Sequence, residues 1–133
     1  MNEAFGDVKK LAAEKFPGQF SSNEEMLFTL TMDGLTVHMF GLPGDPFTVC
    51  VRTRVLSMDT VPRAADFARA AIAGNFFWGG TRGATLSVAA DDALYLTERR
   101  LAEELVGEEA LEDCIRDFAL TVRDWRERSR LYA

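Results

Sequence analysis

Apolar and polar positions alternate most regularly in residues 26–41, where two runs of strand-forming residues flank Asp33-Gly34. Asp-Gly is the dipeptide preferred in two-residue type I′ hairpins, so the turn fixes the register. Met32 then faces Leu35, Leu30 faces Val37 and Phe28 faces Met39, an apolar face that belongs in a core. The opposite face pairs Thr31 with Thr36, Thr29 with His38 and Leu27 with Phe40, and is amphipathic. After the loop 42–46, Phe47, Val49, Val51 and Val55 alternate with Thr48, Cys50, Arg52 and Arg54. That spacing predicts a third antiparallel strand with one buried face and one polar, partly basic face.

Helical periodicity frames these strands. Phe5, Val8, Ala12 and Phe16 share a face over residues 3–16, and Pro17-Gly18 ends that amphipathic helix; Ser21 to Glu25 is polar punctuation. A second helix is expected to be capped by Asp59 or Thr60, with Pro62 in its first turn. Its stripe of Phe67, Ala70, Ala71 and Gly74 has unusually small side chains, which suits a tight helix contact. Asn75 stops this helix by accepting the left-handed conformation. The aromatic triplet Phe76, Phe77 and Trp78 follows, and then Gly79, Gly80 and Gly83 allow the chain to reverse. Residues 84–89 and 93–96 predict a second hairpin turning at Asp91-Asp92. Residues 97–106 have helical composition, interrupted at Gly107. Leu111, Ile115, Phe118, Val122 and Trp125 then mark a strongly amphipathic last helix, with acids at its start and arginines at its end to complement the helix dipole.

The expected fold is therefore α+β: a single domain over residues 1–133, with one antiparallel sheet of about five strands and helices packed on it, in the order α-β-β-β-α-β-β-α. No internal repeat or low-complexity linker breaks the chain.

Composition narrows the function. The 133 residues carry a net charge of −6, which argues against a nucleic-acid partner, and no dense Lys/Arg run offsets it. No apolar run approaches the roughly 20 residues of a membrane span, so no membrane insertion is expected. The N-terminus mixes acids with its lysines and lacks the apolar stretch of a secretory signal. Cys50 and Cys114 form no CxxC pair and are expected to be reduced.

Candidate chemistry is sparse. His38, the single histidine, has no carboxylate or nucleophile opposite it in the predicted sheet. No serine sits in a nucleophile-elbow context. The run 79–83 lacks the Lys-Ser/Thr ending of a phosphate loop and follows a helix, the wrong order for that site. Asp91-Asp92 reads as a turn, and the acids of the last helix have no metal-binding partners beside them. Catalytic, cofactor and metal sites are thus expected to be absent. What needs an account is the apolar surplus: Phe76, Phe77 and Trp78 fit either monomer core or a subunit interface, since a one-sheet domain cannot easily cover both faces. Leu27, Phe40 and the first helix could frame a groove for an extended peptide, and an open strand edge could accept it.

The helix ending AAIAGNFFW, followed by GGTRGATLSV, an acidic turn, ALYL and the closing DFALTVRDW, resembles the type III secretion chaperones of the Tir-chaperone family over essentially the whole chain. The resemblance implies a non-catalytic, cytoplasmic bacterial homodimer that holds the N-terminal region of a secreted effector in extended form. It places the dimer contact on the second helix and the following strand, at Phe67, Ala71, Leu86 and Val88, to which the interface reading of the small-residue stripe and aromatic triplet adds Ala70, Phe76, Phe77 and Trp78; it places effector-facing surface at Phe5, Val8, Leu27 and Phe40. Two other readings stand beside it. One is a regulatory or sensory-transduction domain of the same fold that binds a folded partner; the other is a small-ligand enzyme using the sheet face around His38, Cys50 and Arg52.

Overall fold

The computed structural model describes residues 3–133, with side chains from Ala4 onward. Among the described residues the α-helices and β-strands run in the order α1 (Glu3–Lys15), β1 (Phe20–Glu24), β2 (Leu27–Met32), β3 (Leu35–Leu42), β4 (Asp45–Ser57), α2 (Ala64–Gly74), β5 (Thr85–Val88), β6 (Ala93–Leu101), α3 (Ala102–Leu105) and α4 (Ala110–Ser129), with short 3-10 turns between some of them. The strands form one antiparallel sheet in the order β1-β2-β3-β4-β6-β5. The chain resolves into two compact units, residues up to Arg52 with Arg99–Arg116, and Thr53–Glu98 with Asp117–Ala133.

In the first unit the β2–β3 turn is as the sequence predicts. Asp33 and Gly34 both take positive φ, 45° and 77°, the geometry a type I′ turn demands. All the expected partners pair, from Leu27 with Phe40 to Met32 with Leu35. Phe28, Leu30, Leu35, Val37 and Met39 are buried, while the opposite face stays half-exposed or exposed. α1 adds Phe5, Val8 and Ala12 to this core, with the Phe5 and Phe28 rings 5.7 Å apart.

Three local readings of this unit change. Residues 20–24 form an edge strand where polar punctuation was expected. Phe20 pairs with Leu30 and lays its ring 5.5 Å from that of Phe28, so one aromatic anchors an otherwise polar strand. Phe47 has the parity of the buried face but is 68% exposed; it lies at the start of β4, where its N–H donates to Asp45 Oδ1 at 3.1 Å in an Asx-type turn. The helical composition after residue 97 is overridden by pairing: β6 runs on through Leu101, and only Ala102–Leu105 is helical. Intrinsic propensity is too weak to resist a ladder already in register.

Along α4, Leu111 and Ile115 of the first unit and Phe118, Val122 and Trp125 of the second are buried as their spacing predicts. α2 starts later than expected: Asp59 and Thr60 lie in a short 3-10 turn, and the residue before the helix is Arg63, whose N–H donates to Tyr132 O at 2.9 Å. Asn75 follows α2 without turning left-handed; its φ is −75°. The small residues at the end of α2 make room for an indole. A Cβ on Gly74 would lie 2.5 Å from Cζ2 of Trp125, and the Trp125 ring is itself buried, with Nε1–H donating to Gly80 O at 2.8 Å.

Two glycines should respond oppositely to alanine. Gly74→Ala drives a methyl into a buried ring and is expected to lower the unfolding free energy by about 1–3 kcal/mol. Gly6, inside α1 with nothing within 4 Å of its would-be Cβ, should gain about 0.4–1 kcal/mol on the same change through loss of unfolded-state freedom. Urea unfolding of both variants checks the pair.

Candidate interaction surfaces

The second unit exposes a run of aromatics that an ordinary core would hide. Phe76, Phe77 and Trp78 are 75, 79 and 54% exposed, and Ile72 and Val88 are also out in solvent. The Phe76 and Phe77 rings meet edge to face at 4.7 Å, so they cover each other slightly and the solvent sees the rest. Phe77 and Trp78 sit at φ 48° and 56°, a region that costs a non-glycine residue of order 1–3 kcal/mol. The backbone is thus strained and the rings are exposed at the same residues. Of the residues expected at a dimer contact, Phe76, Phe77, Trp78 and Val88 face outward, Ala70 is half-buried, and Phe67, Ala71 and Leu86 are buried within the unit. Phe67 packs its ring 6.1 Å from Trp125 and 5.4 Å from Tyr132.

In the first unit the residues expected to face an effector divide in the same way. Leu27 and Phe40 face each other on the half-exposed side of the sheet, with the Arg52 guanidinium 5.3 Å from the Phe40 ring. Phe5 and Val8 have no exposed surface at all, because they are the side chains with which α1 closes the core. The outer side of α1 instead borders a shallow cleft of about 260 Å³ lined by Asp7, Lys10, Leu11, Glu14 and Val106. A larger one, about 470 Å³, opens between Glu25-Met26 and residues 42–46, with Pro43 and Pro46 on its wall. In the sequence 42–46 reads as a connecting loop, and its two prolines are the signal for an apolar wall there.

On the sheet face around His38, Cys50 and Arg52 two groups are shifted from their ordinary values. Burial, with the Arg52 charge adding to it, holds His38 below the usual histidine range. Burial likewise raises the Cys50 thiol, with Arg99 opposing and Asp45 reinforcing the rise, so the thiolate that a nucleophile needs is disfavoured. Asp45 is held low first by a hydrogen bond from the Thr48 side chain and then by the Phe47 N–H. Among the described residues no three His, Cys, Asp or Glu side chains are placed to hold a metal ion, and no helix is long and apolar enough to cross a membrane.

The sequence profile of the Tir chaperone protein (CesT) family matches residues 9–126. No curated protein sequence matches the chain. Solved structures do. The ExsC–ExsE complex is similar at a TM-score of 0.73 and 16% identity, over 94% of this chain and 92% of that one. The HopA1–SchA chaperone–effector complex is similar at 0.74 and 11%, over 95% of each. The heterodimeric ExoU–SpcU complex from the type III secretion system of Pseudomonas aeruginosa gives 0.60 and 12%, over 92% and 93%. At these identities the likeness shows the fold.

The His38 environment sets a pH dependence. Its folded pKa is depressed, so the unfolded chain takes up a proton first as pH falls. Stability conferred by the neutral ring is full above the ordinary histidine value and declines from there down to the folded pKa. Because His38 is the single histidine, His38→Gln should flatten the change in melting temperature between about pH 7 and pH 5, and a folded-state NMR titration should place the wild-type midpoint below that of a model peptide.

Proposed function

We propose that this chain, which belongs to the Tir chaperone protein (CesT) family, is a non-catalytic homodimeric chaperone in the bacterial cytoplasm. Its client is the N-terminal segment of a type III secreted effector, which it holds extended, soluble and ready for export. The family match over residues 9–126 carries this reading. It is supported by the chaperone–effector and secretion-system complexes among structures of the same fold.

The chemistry of the surfaces agrees. A second copy covers Phe76, Phe77, Trp78 and Val88, the outward members of the expected contact, while Phe67, Ala71 and Leu86 brace it from inside each subunit. A twofold interface lets one patch serve as its own complement, and exposed aromatics are the side chains that dominate such contacts. The client lies on the first unit, along the Leu27 and Phe40 side of the sheet; Phe5 and Val8 support that surface from within. An extended segment gives up conformational entropy on binding, so affinity per unit area stays modest and release remains possible. A charge of −6 keeps the free chaperone soluble despite its apolar patches.

In sedimentation equilibrium the protein should be a dimer at micromolar concentration, and Phe77→Asp should weaken the dimer about a hundredfold or more. Leu27→Asp and Phe40→Asp should each weaken capture of the N-terminal segment of a secreted protein encoded beside this gene by about tenfold, with the melting temperature little changed. A wild-type monomer, unchanged capture in both sheet variants, or binding confined to folded partners would overturn the reading.

A further inference from the structure

The aromatic run is held at its start by one residue. Asn75 Oδ1 accepts the Leu86 N–H at 2.8 Å, and Asn75 Nδ2 donates to Leu86 O at 2.9 Å. The side-chain amide therefore meets both backbone groups of one residue of β5, the last strand in the sheet order, as the peptide of a further strand would. This double bond pattern also fixes which amide atom is oxygen, since the flipped group would set donor against donor.

The other end of the segment is fastened too. Gly80 N–H donates to Gly74 O at 3.0 Å, and the Trp125 indole N–H donates to Gly80 O at 2.8 Å. Between these fixings Trp78 N–H donates to Asn75 O at 2.8 Å and Gly79 N–H to Phe76 O at 3.1 Å, so the backbone closes into a tight turn. Phe77 and Trp78 keep positive φ inside it. Aromatic side chains gain nothing from that conformation and persist there only where the surroundings impose it. Here what is imposed is display: the residues that bear the strain are those whose rings stand in solvent. A surface already ordered before contact loses less entropy on association.

We infer that Asn75 is a positioning residue for self-association, its amide clamp on Leu86 presenting Phe76, Phe77 and Trp78 as a preformed docking surface for a second copy of this chain. The inference rests on the homodimer reading above. Without the amide the turn loses one of its two anchors, and the rings sample orientations that a twofold partner cannot match. Each dimer contains the clamp twice, so its loss counts twice.

Sedimentation equilibrium on the full chain tests this with Asn75→Ala, Asn75→Asp, Phe77→Ala and the double variant Asn75→Ala/Phe77→Ala, folding being followed by urea unfolding. Asn75→Ala is expected to raise the dimer dissociation constant about tenfold or more. Asn75→Asp keeps the acceptor for Leu86 N–H but sets a carboxylate against Leu86 O; it should weaken the dimer in the same direction, and it carries the test if the alanine variant does not fold. In the Phe77→Ala background the effect of Asn75→Ala should shrink, because the clamp acts through the rings. An undiminished effect there marks a purely structural residue and overturns the inference, as does an unchanged dissociation constant. Tighter association overturns it as well, and would show the amide guarding the β5 edge against strand addition. A wild-type chain that stays monomeric removes the homodimer reading and the inference together; a dimer weakened by Phe77→Ala but indifferent to Asn75 removes the inference alone.

Discussion

The indole of Trp125 fits where it does because two glycines stand against it. Its ring lies where a Gly74 side chain would be, and its N–H takes the Gly80 carbonyl. A buried indole needs a partner for that N–H, and a main-chain carbonyl in a glycine turn meets the need only if the turn comes close. Helix α2 must therefore end at Gly74, and the chain must return to the same spot six residues later (Gly80). The stretch between them has to double back in little space. That is why Phe77 and Trp78 adopt positive φ, and why their rings go outward: the inward position is already filled by Trp125. Phe67 on one side of the indole and the Arg128 guanidinium 4.4 Å from its ring complete the enclosure.

Much of this was legible from residue pattern. The Asp33-Gly34 turn gave the register of β2 on β3 to the residue, since one dipeptide fixes the twist and one shift would expose every core side chain. The face of α4 was equally plain, because five large apolar residues at helical spacing have one burial solution. The partner of the α2 stripe was not legible. Small residues say that something approaches closely, and they do not say whether a helix of a second copy or an indole fifty residues on. The role of Asn75 is hidden for a related reason. An asparagine after a helix often turns left-handed, but its side-chain amide can instead bond a distant strand, and the sequence does not distinguish the two. Its bonds go to Leu86, eleven residues away, a tertiary partner that no local rule supplies.

The two units treat their apolar surplus differently, and the difference follows from what each helix is built of. α1 brings Phe5 and Val8, large enough to reach the sheet and close the core completely. Sequence periodicity identified that face correctly, but an apolar face names only what is buried and is silent on whether sheet or client buries it. α2 brings small residues, closes on an indole, and leaves its aromatics beyond its own end.

On the proposed function, a surface for an extended client is made from half-covered positions. Leu27 and Phe40 are cross-strand neighbours at the open side of β2 and β3, with Thr29 and His38 next along the same face and the Arg52 cation leaning on Phe40. Such a surface is apolar in patches and hydrogen-bonding between them, which matches an unfolded segment better than a smooth hydrophobic groove does. An extended chain presents side chains alternately and carries unpaired backbone groups throughout. A wholly apolar groove would grip the side chains and strand the backbone; a mixed face can satisfy both at low cost. The neutral state that burial and Arg52 favour for His38 suits this role, since an uncharged imidazole both donates and accepts without adding a second cation beside the guanidinium.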